Sequence, residues 1–193
     1  MRRICVYAGS NPGSDTAYAN SARELARLLA ARGIGLVYGG GRVGLMGVLA
    51  DTALDAGVEA IGVMPQALVD KEIGHTGLTE LHVVGSMHER KALMAELSDA
   101  FVAVPGGIGT LEELIEVYTW SQLGIHAKAC GVLNVTGYYD HLAAFLDHAV
   151  DAGFLRPQHR AVLSVASEPA ELLDRLSAYE PPVVGKWIEL DAT

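Results

Sequence analysis

Cysteine is nearly absent from this chain: Cys5 and Cys130 are the two among 193 residues, and they share no C-x-x-C spacing. Both fall in apolar stretches that read as buried strands. They are therefore expected to be reduced core residues of a cytoplasmic protein, not a disulfide or a metal site. Long hydrophobic runs are also missing. Half of the residues are hydrophobic and the mean hydropathy is +0.26, yet no run approaches the ~20 apolar residues that a membrane span needs. The opening MRRICVYAGS carries a basic pair, but its apolar stretch is short and reads as a first strand, not a signal peptide. Positive charge is in deficit, with 14 Lys and Arg against 23 Asp and Glu, a net −9. That balance argues against nucleic acid or an anionic membrane as a partner. Any anionic ligand has to be neutralised locally. The seven histidines form no H-E-x-x-H or equivalent cluster. His141 and His148, two turns apart on one predicted helix, are expected to be solvated or satisfied, and no metal is expected.

What is present is an alternation of short β-rich runs with longer amphipathic ones. Strands are predicted over 3–9, 34–41, 58–65, 81–86, 100–107 and 129–135, with a short one near LSVA. Helices are predicted over 15–32 (stopping at Gly33), 43–56, 87–97, from the 105–110 turn to about Gln122, over 138–152, and from near Glu168. Residues 66–80 read as a loop-like insertion, and 181–193 as a C-terminal extension to a domain of residues 1–180. Strands that are apolar throughout and separated by helices imply a mostly parallel sheet covered on both faces, a doubly wound, Rossmann-like α/β domain. Ligands in such folds bind beyond the C-terminal ends of the strands. The glycine-rich segments follow the first, second and fifth strands, at those positions.

The first candidate motif is GGGRVGLMG, 39–47, with G-x-G-x-x-G at Gly39, Gly41 and Gly44. It follows a strand and opens a helix, as in a dinucleotide site, which also requires an acidic residue at the end of the next strand. That strand ends in Met64 and Pro65, and Glu59 lies at its beginning, so NAD is disfavoured. A turn near a phosphate and glycines needed for tight backbone packing both remain open.

PGGIGT, 105–110, is the sharper signal. Pro105 ends a strand because it cannot donate to the ladder. Gly106, Gly107 and Gly109 permit close backbone approach. Thr110 is the expected N-cap of a helix whose free N–H groups and dipole favour an anion. Yet Thr110-Leu-Glu-Glu113 also fits the T-x-x-E capping box, in which Glu113 would only bond the Thr110 backbone. Glu113 and Glu116 share one face of the helix, while Leu114, Ile115 and Tyr118 can face the core. MHERK, 87–91, places Arg90 and Lys91 early on the preceding helix. They are either solvated charges or partners for Glu113 or a ligand phosphate.

In this order, Met87-His88-Glu89-Arg90-Lys91 and then Pro105 to Glu113, the M-x-x-R-K and P-G-G-x-G-T-x-x-E motifs resemble the LONELY GUY family. These are cytokinin-activating nucleoside 5′-monophosphate phosphoribohydrolases, often mislabelled lysine decarboxylases. The resemblance extends to AGSNPG, GGGRVGLMG and TWSQLGIHAK (119–128), with AGSN departing from the usual Cys-Gly-Ser-Ser type turn at Ser10. It implies a Rossmann-like homodimer without PLP or any other cofactor. The implied reaction is hydrolysis of an N6-modified adenosine 5′-monophosphate, or AMP, to free base and ribose 5-phosphate. Carried onto these positions, Arg90 and Glu113 are catalytic. Ser10, Gly41, Met87, Arg90, Lys91, Gly106, Gly107, Gly109, Thr110 and Glu116 bind substrate. The walls that select the N6 substituent are expected in loops such as 65–80 and from a second subunit, with Tyr118, Trp120, Leu123 and Ile125 as a candidate dimer contact. The reading of a different class is a non-catalytic nucleotide or cofactor carrier of the same fold.

Overall fold

Seven strands form one all-parallel sheet in the order β4-β3-β2-β1-β5-β6-β7 in the computed structural model, which describes residues 1–71 and 74–182. They are β1 Arg3–Tyr7, β2 Gly35–Tyr38, β3 Ala60–Pro65, β4 Glu80–Val84, β5 Ala100–Ala103, β6 Ala129–Leu133 and β7 Leu163–Ala166. The helices are α1 Thr16–Ala31, α2 Gly44–Asp55, α3 Gln66–Val69, α4 Met87–Glu96, α5 Ile108–Gln122, α6 Asp140–Asp151, α7 Pro157–Arg160 and α8 Pro169–Ser177. The proposed C-terminal extension lies, from 183 onward, outside the described residues.

The central strands are buried on both faces, and their side chains divide by parity. Ile4 and Val6 of β1 join the cluster under α1, α2 and α8, while Cys5 and Tyr7 join the one under α4, α5 and α6. A residue-by-residue alternation between two apolar layers is what a continuous hydrophobic strand requires. Cys5 and Cys130 are free and buried in the second layer. Helix α1 forms because Ala22, Leu25, Ala26 and Leu29 recur on one face, and Asp15 accepts from the Ala17 amide at its start. It ends at Gly33, which takes a positive φ of 64°.

The predicted alternation matches these elements, with differences at the boundaries. The 66–80 insertion contains the single turn α3 and an isolated antiparallel bridge, Gly41 to Gly74. Edge strand β4 is half exposed, so its hydrophobicity pattern is weak. Helix α7 breaks a segment that the sequence left unassigned. The order of strands reverses between β1 and β5, which pair directly and continue to β2 on one side and β6 on the other. Their C-terminal ends form the switch point, beyond which folds of this kind bind ligands in a crevice.

Candidate active site

Three glycine-rich loops meet at that switch point, and each needs its glycine for close approach. The Gly9 amide donates to the Pro105 carbonyl at 3.2 Å, and the Leu45 amide donates to the Gly9 carbonyl at 2.9 Å. Gly44 combines a φ of 60° with backbone contact. A Cβ there would stand 2.3 Å from the Ser10 carbonyl carbon. A Cβ on Gly106 would lie 2.1 Å from Thr110 Oγ1 and 2.9 Å from the Gly9 nitrogen. Side chains larger than hydrogen would therefore pry the β1, β2 and β5 loops apart.

The expectation for Thr110 is corrected here. Helix α5 begins three residues earlier than the sequence pattern suggests, with Gly107 as its N-cap and no side-chain cap. Thr110 sits inside the first turn, buried against Gly106. The glycine pair can adopt the extended entry geometry without help, so the helix starts before the threonine. The amides of Gly107, Ile108, Gly109 and Thr110 find no backbone acceptor among the described residues. Gly107 and Gly109 are exposed, and this uncapped end presents N–H groups and a positive dipole end to the crevice.

Glu113 is not engaged in a capping box. Its Oε1 lies 3.1 Å from Arg90 Nη1, and both side chains are only 11% exposed. Arg90 is anchored a second time, its Nε donating to the Val63 carbonyl at 3.0 Å. Its Nη1 also lies 3.9 Å from Met87 Sδ, while the Met87 side chain is exposed at the start of α4. The guanidinium rests on Gly39, where a Cβ would come within 2.0 Å of Nη2. The first glycine of the G-x-G-x-x-G motif thus makes room for an arginine. Gly41, its second, is buried and bridges Gly74. A cavity of about 490 Å³ adjoins this bridge, lined in part by Val69, His75 and Leu78 of the predicted wall loop.

Lys91 turns the other way. Its Nζ contacts Glu112 Oε1 at 2.5 Å and Glu116 Oε2 at 3.0 Å. The bond to Glu112 holds its ammonium pKa up, against the effect of burial. Three carboxylates of α5 therefore face two cations of α4, leaving one carboxylate in excess within this cluster. Burial pushes the Glu113 carboxyl above its ordinary 4.5, with Arg90 opposing and Glu112 adding to the rise. Such a carboxyl, partly desolvated beside a fixed guanidinium, can exchange a proton nearer neutrality than an exposed one or face a developing cation.

The structure thus brings Arg90 to Glu113 and Lys91 to Glu112 and Glu116, and leaves Ser10 exposed on the loop after β1. β4 and β5 follow one another in sequence but are separated by β3, β2 and β1 in the sheet. Arg90 reaches Glu113 because α4 packs back across β3, to whose Val63 it bonds. Glu112, the Val63 carbonyl and the room at Gly39 carried no distinguishing signal in the sequence. Ile115, expected toward the core, is partly exposed, while Val117 is buried in its stead.

Residues 46–176 match the protein family described as "Possible lysine decarboxylase". A protein of Oryza sativa subsp. japonica named probable cytokinin riboside 5′-monophosphate phosphoribohydrolase is 51% identical over 181 residues, covering 94% of this chain and 86% of its own. The cytokinin riboside 5′-monophosphate phosphoribohydrolase LOG5 of Arabidopsis thaliana is 48% identical, covering 94% of this chain and 79% of its own. Among solved structures, the molybdenum cofactor carrier protein of Chlamydomonas reinhardtii superposes with a TM-score of 0.68 at 23% identity, over 93% of this chain and 99% of its own. That likeness shows the fold alone. The sequence relatives and the matched family together show that this chain belongs to the family of cytokinin riboside 5′-monophosphate phosphoribohydrolases, grouped under the description of possible lysine decarboxylases.

Proposed function

We propose that the protein hydrolyses the N-glycosidic bond of adenosine 5′-monophosphates, those with an N6 substituent and AMP itself, to free base and ribose 5-phosphate. The observation that carries this reading is the buried Arg90–Glu113 pair one turn beyond an uncapped, glycine-lined helix start. A nucleoside monophosphate is an anion at one end and develops positive charge at its anomeric carbon as the bond to the base breaks, as in glycoside hydrolysis. An anion cradle and a carboxylate on the same helix answer both requirements.

In this mechanism the 5′-phosphate accepts hydrogen bonds from the first-turn amides of α5, around Gly106, Gly107, Gly109 and Thr110, with Ser10 and the Gly41 loop facing it. Glu113 faces the anomeric carbon. The carbon–nitrogen bond breaks with its electron pair leaving on the base, water oxygen bonds to the anomeric carbon, and Glu113 takes the proton that water releases. The departing base gains its proton from solvent. Arg90 orients Glu113 through a guanidinium fixed at Val63 and Gly39, and it does not act as an acid, because it keeps its proton near neutrality. Met87 borders the substrate. Lys91 and Glu116 brace the helix pair beside it, with Glu116 within reach of ribose hydroxyls.

The working form is proposed to be a cytoplasmic homodimer. Buried free thiols support a reducing compartment. Exposed Leu123 and Ile125, at the end of α5, support a second copy as cover. No helix among the described residues is long and apolar enough to cross a membrane.

Chromatography of products from AMP and N6-isopentenyladenosine monophosphate, each beside its dephosphorylated nucleoside, tests the reading. Free base is expected from the monophosphates alone. Glu113→Gln is expected to lower turnover by about 10²–10⁴-fold while ribose 5-phosphate still binds. Binding without release of base from any substrate would favour the carrier.

A further inference from the structure

The segment NVTGYYD, 134–140, has no part in the mechanism above, yet two of its side chains reach the loop that forms the anion cradle. Tyr139 Oη donates to the Val104 carbonyl at 2.8 Å, and Tyr138 Oη donates to the Gly106 carbonyl at 2.5 Å. Adjacent tyrosines thus hold alternate carbonyls of Val-Pro-Gly. The turn that presents them is tightly determined. Thr136 has φ 50°, a left-handed conformation that a β-branched residue rarely adopts, and Gly137 follows at 76°. Asn134 locks it by accepting from the Tyr139 amide at 2.6 Å and donating to Asp140 at 2.7 Å.

The Tyr138 ring is also gripped from two sides. It meets Tyr139 edge-on at 5.0 Å and Tyr18 of α1 at 5.6 Å and 74°. Tyr18 in turn lies against the loop after β1, where a Cβ on Gly13 would come within 2.6 Å of its ring. A continuous line of contacts therefore runs from Gly13 through Tyr18 and Tyr138 to Gly106, spanning both lips of the switch point. Tyr139 is buried, but Tyr138 is 42% exposed, so its contribution to the core is small.

From this geometry we infer that Tyr138 is a positioning residue of the phosphate cradle: its hydroxyl fixes the Gly106–Gly107 peptide and thereby the preference for phosphorylated over unphosphorylated nucleosides. The peptide is planar and trans, so holding the Gly106 oxygen toward Tyr138 turns the Gly107 N–H the opposite way. That N–H has no backbone acceptor among the described residues. Between two glycines the peptide would otherwise rotate freely, since neither flanking residue has a Cβ to restrict it. Fixing it in advance removes an ordering cost that phosphate binding would bear. The inference rests on the proposed seat of the 5′-phosphate at the start of α5.

Tyr138→Phe keeps the ring and its edge-on contacts and removes only the hydroxyl. It is expected to raise KM for AMP, and the inhibition constant for ribose 5-phosphate, by about tenfold, the scale of one neutral hydrogen bond. Turnover at saturation should stay within about twofold, because Arg90 and Glu113 are untouched. Any residual activity on the dephosphorylated nucleoside that becomes measurable only at high enzyme concentration should not change. Tyr18→Leu, which withdraws a ring that grips Tyr138 and leaves its hydroxyl in place, should shift the same two constants in the same direction by less. Unchanged constants for AMP and ribose 5-phosphate in a folded Tyr138→Phe protein would overturn the inference. Equal losses on nucleotide and nucleoside would overturn it too, since they indicate a general structural role. If Tyr138→Phe does not fold, unchanged constants in Tyr18→Leu overturn it. The wild-type protein separates the two levels: if it does not prefer nucleotides and ribose 5-phosphate does not inhibit it, the phosphate seat itself is wrong and the inference falls with it.

Discussion

At the scale of single residues, the central fact is a carboxyl held between opposed influences. Burial raises the proton affinity of Glu113 and the Arg90 guanidinium lowers it, with burial the larger effect. If the carboxylate is the active form, protonation on acidification silences it. The acid limb of kcat/KM is therefore expected at a pH above the ordinary carboxyl value of 4.5. Arg90→Met keeps an apolar stem but removes the charge that favours the carboxylate. The limb should then move further up in pH, in addition to the loss of rate. A pH–rate profile of each protein checks this, and a limb that moves down would mean Arg90 does not act through Glu113. The motifs singled out both residues of this pair, but left open whether Arg90 meets Glu113, a ligand or solvent. T-x-x-E fits a helix cap as well as the proposed catalysis, and the 3.1 Å contact with Arg90 removes the cap.

At the scale of elements, strand-to-helix junctions decide function because each brings one loop to the crevice. Their glycines look alike in sequence and differ in what they face. At Gly39 an added Cβ meets the far end of a flexible side chain, Arg90. At Gly44 it meets the backbone of Ser10, in a left-handed conformation. Gly39→Ala is thus expected to fold with nearly wild-type thermal stability but to displace the guanidinium, costing about 100-fold in kcat/KM, the scale of a 1 Å misplacement. Gly44→Ala should instead lose about 2 kcal/mol or more of stability from backbone strain and the forced separation of loops. Thermal unfolding beside steady-state kinetics distinguishes them. The existence of these junctions was legible from Gly and Pro punctuation. The start of α5 was not: Thr110 is an attractive cap locally, and the glycine entry that displaced it depends on the fit of Gly106 against Gly9 and Thr110.

For the whole molecule, an acidic chain has to bind an anionic substrate, and it does so without a broad positive surface. The cations of α4 face the carboxylates of α5, and in the proposed mechanism the ligand is left with backbone amides and a helix dipole, whose influence fades within a turn. Such a site is local by construction and tolerates a net charge of −9 elsewhere. The apolar end of α5 belongs to this scale as well. Leu123 and Ile125 are about two-thirds exposed, whereas Tyr118 is buried and Trp120 packs against the core. The four residues grouped in the sequence therefore divide between core and surface. Leu123→Asp with Ile125→Asp should convert the proposed dimer to monomer without unfolding it, as light scattering coupled to size exclusion would register. A wild-type monomer would remove the dimer from the proposal.

The sequence by itself determined the parallel, doubly wound sheet, because uniformly apolar strands separated by amphipathic helices have few other ways to bury their faces. It also marked the loops on which the proposed chemistry rests, since glycines, a proline and paired charges stand at the C-terminal ends of particular strands. Tertiary structure decided the pairings: Glu113 with Arg90, Lys91 with Glu112 and Glu116, and Tyr138 with Gly106 across 32 positions. The physical reason is that periodicity and turn chemistry act over a few residues. Which side chains meet across the crevice depends instead on strand order, helix crossing and the depth of packing, to which distant parts of the chain contribute together.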